Sequence, residues 1–107
     1  MNEPAITPTE LRGGARGELL LIDIRKEPDE RQIPGSLRYD GEALALSEEL
    51  PFSREERVVL YCGRGNSSTR IAAQLRERGY NTVALEGGYT AWKSAGYETE
   101  PRSVDGE

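Results

Sequence analysis

Short, unbroken runs of hydrophobic residues predict the strands of this chain. The runs LLLID at residues 19–23, VVLY at 58–61 and TVAL at 82–85 are apolar at nearly every position and are too short for helices. Such runs are typical of strands that are buried on both faces of a parallel sheet. We therefore predict a strand at each run, with a brief edge strand at residues 5–6 and another short strand at 37–39.

Capping residues and helical spacing occur between these runs. The pattern TPTE at residues 7–10 is a capping box with proline at the first helical position, and it predicts a short helix ending at Gly13 and Gly14. Asp40 is predicted to cap a second helix, which is stopped by Pro51. The apolar positions of this second helix are Ala43, Leu44, Leu46 and Leu50.

A third helix is predicted soon after the strand at 58–61. Either Ser67 or Ser68 can act as its N-cap, and Gly79 stands where the residue that follows a helix belongs. The residues Ile71, Ala72 and Leu75 recur at helical spacing and form its apolar face.

The last predicted helix covers residues 89–95 and is closed by Gly96. Its Ala91 and Trp92 are predicted to face the core. The segments between the elements are predicted as a loop on one sheet edge at 26–32, a turn at 33–36 and at most one helical turn at 53–56.

Strands that alternate with helices predict an α/β sandwich whose sheet is mainly parallel. Residues 1–97 are predicted to form a single domain, because 107 residues leave no room for a second one. Residues 98–107 are polar and unperiodic, so we predict a disordered tail. In such folds ligands bind at the carboxyl ends of the strands, and Cys62 lies at one of these ends.

Charge and residue counts exclude several classes of function. The 14 basic and 19 acidic residues give a net charge of −5, which argues against a nucleic-acid or anionic-membrane partner. A single cysteine and the lack of histidine exclude an internal disulfide, a Cys/His zinc site and a histidine base, and no metal or cofactor is predicted. The N-terminal MNEPAITPTE lacks the basic and apolar regions of a signal peptide, so a cytoplasmic location is expected.

The loop from Cys62 to Ser67, with sequence CGRGNS, joins a predicted strand to a predicted helix. Glycines in such a loop allow its backbone N–H groups to turn toward one point, and the helix dipole favours an anion at the same place. Cys62 is therefore predicted to be a thiolate that acts as a nucleophile, with Arg64 and Arg70 adding positive charge nearby.

The free energy needed for this thiolate indicates which groups must supply it. Lowering a thiol pKa from ~8.5 to ~6.5 requires roughly 2.7 kcal/mol. An exposed helix dipole supplies only about 0.3–1 kcal/mol. Two hydrogen bonds to a charged group, at about 1.5–3 kcal/mol each, are sufficient, so the loop N–H groups are predicted to do most of the activation.

The segments VVLYCGRGNSST at 58–69 and LEGGYTAW at 85–92 together resemble the active-site region of a single-domain rhodanese. The similarity extends over nearly the whole chain, through ITPTEL, LLLIDIR and IPGS to LEGGYTAWKSAGY. It implies a three-layer sandwich with a five-stranded, mainly parallel sheet and helices on both faces.

The resemblance also implies a reaction. The cysteine at the position of Cys62 takes the outer sulfur of thiosulfate, releases sulfite, holds a persulfide and passes the sulfur to cyanide or a thiol. We expect the physiological donor to be thiosulfate or the persulfide of another protein in a sulfur relay. The expected substrate-binding residues are those of the loop, namely Gly63, Arg64, Gly65, Asn66 and Ser67.

Two features depart from the family pattern or vary within it. Family members commonly carry a longer acidic and aromatic segment ending in Gly-His before the Ile-Pro-Gly motif, where this chain has only residues 26–32. The residue type at the loop position of Arg64 differs among family members, which suggests that this position helps to select the substrate. Asp23 and Arg25 close a buried strand, so we interpret them as structural, and Arg70 as a solvated or ion-paired helix residue.

Two alternative functions stay open. A Cys-dependent phosphatase or arsenate reductase is disfavoured, because such phosphatases hold phosphate with an arginine six residues after the cysteine, where this chain has Ser68. The related phosphatases also have a longer loop. The other alternative is a sulfur-relay or regulatory protein-binding module in which turnover is incidental.

Overall fold

The computed structural model describes residues 4–13 and 19–102. Gly14 and residues 103–107, for which predictions were made above, lie outside the described residues. The strands are β1 (Ala5–Ile6), β2 (Leu20–Asp23), β3 (Arg31–Gln32), β4 (Leu37–Arg38), β5 (Arg57–Tyr61), β6 (Asn81–Leu85) and β7 (Glu100–Pro101). The helices are α1 (Pro8–Gly13), α2 (Gly41–Leu46), α3 (Asn66–Glu77) and α4 (Gly88–Ser94).

A five-stranded sheet forms the centre of the fold. Its order is β1-β6-β5-β2-β4, and every pair of neighbours is parallel. Strand β5 is central and is buried at every position except Arg57. The α/β prediction and the predicted edge strand at residues 5–6 are therefore confirmed, and the chain leaves the middle of the sheet at Cys62.

Helices cover both faces of this sheet. On one face Val58 and Leu60 of β5 pack with residues of α2 and α3, and on the other Val59 and Tyr61 pack with residues of α1 and α4. The helical members of these clusters are Leu44, Ile71, Ala72 and Leu75 on the first face and Leu11, Tyr89 and Trp92 on the second. Burying each large apolar side chain contributes about 1.5–3 kcal/mol, so the alternating side chains of β5 hold three layers together.

Helix α4 differs from its prediction in the residues that it buries. Trp92 is fully buried, as predicted, and its indole N–H donates to the carbonyl of Glu98 at 2.8 Å. Ala91 is only half-buried, and Tyr89 takes the second core position. The helix begins at Gly88, one residue before the predicted start, and Tyr89 shares a face with Trp92 because the two are three residues apart.

The predicted caps of the first two helices are present. Thr7 and Glu10 exchange hydrogen bonds of 3.0 and 3.1 Å across the start of α1, and Asp40 accepts the amides of Glu42 and Ala43 at 2.9 and 3.1 Å. The predicted end of α2 is wrong, because α2 stops at Leu46 and not near Pro51.

The early end of α2 has a long-range cause. The Arg78 guanidinium donates to the Ala45 carbonyl at 3.4 Å, which a further helical turn would use, and to the Ser47 carbonyl at 2.7 Å, which would find no helical donor because residue 51 is proline. The Ser47 hydroxyl also bonds the carbonyl of Glu49 at 2.6 Å, in a local bond that competes with the helix.

The predicted start of α3 is also wrong. The helix begins at Asn66, and its N-cap is Gly65 in the left-handed conformation at φ 102°, with no capping side chain. Only glycine adopts this φ without strain, so the helix is capped two residues before Ser67 and three before Ser68. Gly79 follows the helix at φ 92°, as predicted.

Strands β3 and β7 correct two further predictions. Residues 31–32 of the predicted loop pair antiparallel with Glu100–Pro101 of the predicted disordered tail. Side chains support this pairing, since Gln32 Nε2 donates to Glu100 Oε2 at 2.7 Å and Arg31 Nη2 to the Thr99 carbonyl at 2.6 Å. Residues 98–102 of the predicted tail are therefore ordered, and they lie beyond the predicted domain limit at 97.

Candidate active site

Cys62 follows the last residue of central strand β5, where a parallel sheet presents its carboxyl ends. Its side chain is 8% exposed and lines a cavity of about 780 Å³. The sulfur is thus largely withdrawn from bulk water but still faces an open cavity. A small molecule that enters the cavity can reach it.

Several donors surround the sulfur. The amide of Gly65 donates to Sγ at 3.1 Å, and the Ser68 hydroxyl lies 3.4 Å from Sγ. Burial raises the pKa of the Cys62 thiol, but the Ser68 hydroxyl and the amides of Ser68, Gly65 and Arg64 lower this pKa by more. The net pKa is below the ordinary value, so the thiolate is favoured.

The donors differ in part from the predicted set of Gly63 to Ser67. Arg64 and Gly65 contribute amides to the sulfur, whereas Gly63, Asn66 and Ser67 line the cavity beside it. Their role as substrate-binding residues stays a prediction.

Ser68, predicted as a possible helix cap, bonds the sulfur through both its amide and its hydroxyl. A polar residue on the buried face of α3, in its first turn and six residues after the candidate nucleophile, is the signal that could identify it.

The N-terminus of α3 points at the same sulfur. The first intrahelical bond runs from the Thr69 amide to the Gly65 carbonyl at 3.1 Å. The amides before Thr69 therefore need acceptors outside the helix, and the Ser68 amide is one that bonds Sγ. The dipole of this 12-residue helix adds to the preference for an anion.

Helix α4 holds the loop in this conformation. The amides of Tyr89 and Thr90 donate to the carbonyls of Cys62 and Gly63, each at 2.9 Å. These bonds turn the two carbonyls toward α4 and away from the sulfur. Gly88 makes the close approach feasible, because a Cβ there would lie 2.5 Å from the Cys62 carbonyl oxygen, and its φ is 64°.

Charged side chains of both signs line the cavity. The cations are Arg25, Lys26, Arg38 and Arg64, and the acids are Glu27, Asp40 and Glu42. Two of the acids are already engaged, since Asp40 caps α2 and Glu42 pairs with Arg70 at 2.6 Å. Asp23 engages the cations Arg25 and Arg38, so Lys26 and Arg64 are the lining cations for which no ion pair is seen among the described residues and which can attract an anionic ligand.

Arg70 and the Asp23–Arg25 pair have the structural roles proposed for them. The ion pair of Arg70 with Glu42 is about half exposed. Asp23 is fully buried and accepts from Arg25 Nη2 at 2.7 Å and from Arg38 Nη1 at 3.3 Å. Burial lowers the pKa of Arg25, but Asp23 raises it by more, so this arginine stays charged.

The described residues contain neither a candidate metal cluster nor a candidate membrane span. Within residues 4–13 and 19–102, no group of three or more His, Cys, Asp or Glu side chains is placed to hold a metal ion. Over the same residues, no helix combines the length and the apolar character needed to cross a membrane.

Comparisons with known proteins agree with this geometry. The sequence profile of the rhodanese-like domain matches residues 7–95. The chain is 33% identical over 89 residues to the putative sulfurtransferase YtwF of Bacillus subtilis, covering 80% of this chain and 82% of that protein. It is 38% identical over 86 residues to the uncharacterized protein slr1261 of Synechocystis, covering 76% of this chain but only 46% of that one.

Among solved structures, a rhodanese-related protein of Thermoplasma volcanium superposes with a TM-score of 0.77 at 24% identity. The match covers 89% of this chain and 95% of that one, which shows that the two share a fold.

Proposed function

Because this chain belongs to the rhodanese-like domain family, we propose that it is a sulfurtransferase that carries a sulfane sulfur on Cys62 as a persulfide. The observation that supports this most directly is the group of neutral donors around Sγ. They favour the thiolate, which is the nucleophilic form, without pairing it with a cation that would block attack.

In the first step the Cys62 thiolate attacks the outer sulfur of thiosulfate. A new S–S bond forms to Sγ, the S–S bond of thiosulfate breaks, and sulfite leaves with the electron pair of that bond. The outer sulfur then carries the negative charge of the persulfide. Arg64, which is exposed and lines the cavity, is suited to attract the dianionic donor.

In the second step an acceptor removes the outer sulfur and restores the Cys62 thiolate. The cavity of about 780 Å³ falls within the range of roughly 300–1,000 Å³ that is usual for pockets of organic ligands. It is therefore large enough for an organic thiol or for the cysteine-bearing tip of a partner protein, as well as for cyanide. The acceptor and the cytoplasmic location stay predictions.

The proposal is tested by incubating the protein with thiosulfate and measuring its intact mass. We expect the mass of one added sulfur on wild type and none on Cys62→Ser. A protein that gains no sulfur from thiosulfate, polysulfide or a protein persulfide would overturn the proposal. Thiocyanate formation from cyanide then measures complete turnover.

Phosphatase chemistry has weaker support. The position six residues after Cys62 holds Ser68, whose hydroxyl oxygen lies 3.4 Å from the sulfur. The nearest arginine beyond it, Arg70, is paired with Glu42. Phosphate lacks the bidentate arginine contact that Cys-dependent phosphatases use. Phosphatase activity that wild type shows on a phosphate ester and Cys62→Ser lacks would support this function instead.

A further inference from the structure

The Ser68 hydroxyl stands between two acceptors. Ser68 is fully buried, and its Oγ lies 3.4 Å from Cys62 Sγ and 3.4 Å from the Gly65 carbonyl oxygen. One hydroxyl has one proton and can donate to only one of the two at a time. The charge on the sulfur therefore decides which acceptor it takes.

The Gly65 carbonyl does not depend on this hydroxyl. It accepts from the Thr69 amide at 3.1 Å and from the Thr69 hydroxyl at 2.6 Å, and both bonds are shorter than the contact with Ser68. A carbonyl oxygen has two lone pairs and Thr69 supplies two donors, so the longer contact from Ser68 is one that this carbonyl shares but does not need. Rotation of the Ser68 hydroxyl toward the sulfur thus leaves no buried acceptor unsatisfied.

We propose that Ser68 is a catalytic residue whose hydroxyl donates to Sγ whenever this sulfur is negatively charged and returns to the Gly65 carbonyl when Sγ is bonded to a second sulfur. The role in turnover rests on the proposed function. The proton stays on Oγ throughout, so Ser68 acts as a hydrogen-bond donor and not as an acid.

The charge on Sγ changes at each step. When the thiolate attacks the donor, Sγ becomes neutral and negative charge moves to the outer sulfur. When cyanide attacks that outer sulfur, the bond between the two sulfurs breaks, its electron pair goes to Sγ, and thiocyanate leaves. A donor aimed at Sγ and not at the outer sulfur stabilises the leaving thiolate more than the persulfide, and so lowers the barrier of the second step.

The first experiment measures the thiolate without any sulfur transfer. Rates of alkylation of Cys62 by iodoacetamide are followed against pH in wild type, Ser68→Ala and Ser68→Thr. We expect the profile of Ser68→Ala to shift upward by about one pH unit, a roughly tenfold change in the thiolate equilibrium. Ser68→Thr keeps a hydroxyl and is expected to stay near wild type. Ser94→Ala, an exposed serine of α4, is the control.

The second experiment isolates the acceptor step. Each protein is loaded with thiosulfate until its mass shows the added sulfur, excess donor is removed, and thiocyanate is measured in a single turnover with cyanide. We expect Ser68→Ala to release sulfur about tenfold more slowly than wild type and Ser94→Ala to match wild type.

The outcomes separate the two proposals. An unshifted alkylation profile in folded Ser68→Ala would overturn the thiolate role. A shifted profile with an unchanged release rate would overturn the leaving-group role. Failure of wild type to load sulfur would overturn the proposed function and with it the role of Ser68 in turnover, while the alkylation result would still decide its role at the thiolate. If Ser68→Ala does not fold, a slow Ser68→Thr overturns the proposal.

Discussion

Two neighbouring strands of this protein each end at a negatively charged group, and they stabilise it in opposite ways. Asp23 ends β2 and lies beside Tyr61 of β5, the residue before Cys62. Asp23 is held by the cations Arg25 and Arg38, whereas the Cys62 sulfur is held by neutral amides and a hydroxyl. Charged side chains stabilise the anion at the end of β2, whereas the dipoles of neutral hydrogen-bond donors stabilise the anion that follows β5.

The difference explains how an inert anion and a reactive one coexist so close together. A buried ion pair with hydrogen bonds on both sides satisfies the carboxylate and leaves no approach to it. Backbone N–H groups lower the energy of the thiolate but approach from the loop side only, so the cavity side of the sulfur stays open. Breaking the ion pair of Asp23 should therefore lower the stability of the fold. Removing a donor to the Cys62 sulfur should instead change the reactivity of the cysteine.

The largest effect on stability is expected for Asp23→Asn. The substitution removes the buried counter-ion of Arg25, whose side chain is 6% exposed, and leaves it only the longer, half-exposed pair with Asp29. We expect the free energy of unfolding to fall by about 3–5 kcal/mol, measured by urea denaturation. Asp29→Asn is the control, since Asp29 contacts the same arginine but is 47% exposed and should cost about 0–1 kcal/mol. Similar losses for both substitutions would contradict the ion-pair role of Asp23.

A smaller effect on stability, joined to one on reactivity, is expected for Gly88→Ala. The added Cβ meets the Cys62 carbonyl oxygen and the Gly63 carbonyl oxygen, so the loop must move away from α4. We expect a loss of about 1–3 kcal/mol and an alkylation profile of Cys62 shifted to higher pH.

Gly96→Ala separates the two causes in Gly88→Ala. Gly96 also has a positive φ, of 80°, but nothing lies within 4 Å of its added Cβ. It should therefore show the cost of backbone strain without the shift in reactivity. If Cys62 is alkylated with the wild-type pH profile in both Gly88→Ala and Gly96→Ala, the bonds from α4 do not set the orientation of the loop.

The smallest effect concerns the pH dependence of stability. The pKa of Cys62 is lower in the folded protein than in the unfolded chain, so above the folded pKa the unfolded chain binds more protons. This stabilising contribution is lost as pH falls through the folded pKa and is complete above the unfolded value of about 8.5. The difference in unfolding free energy between wild type and Cys62→Ala should grow with pH across this window. A difference that is constant or that shrinks would contradict a thiolate stabilised by folding.

Much of the fold could be predicted from the sequence because the patterns that indicate it lie within short segments. Unbroken apolar runs such as residues 58–61 predict buried strands, and the pattern TPTE at 7–10 predicts the cap that α1 has. The position of Cys62 at a strand end followed from the same reasoning. These features depend on neighbours in sequence, and so a single sequence can determine them.

Contacts between distant residues decided the rest. The pairing of β3 with β7 joins residues 68 or more positions apart, and the end of α2 depends on Arg78. At the site, the sequence determined that a cysteine in a glycine-containing loop follows a buried strand. Only the tertiary structure decided that α4 turns the carbonyls of Cys62 and Gly63 away, and that Ser68 reaches the sulfur. The reason is that a hydrogen bond depends on direction and distance, which are set when separate elements pack against each other.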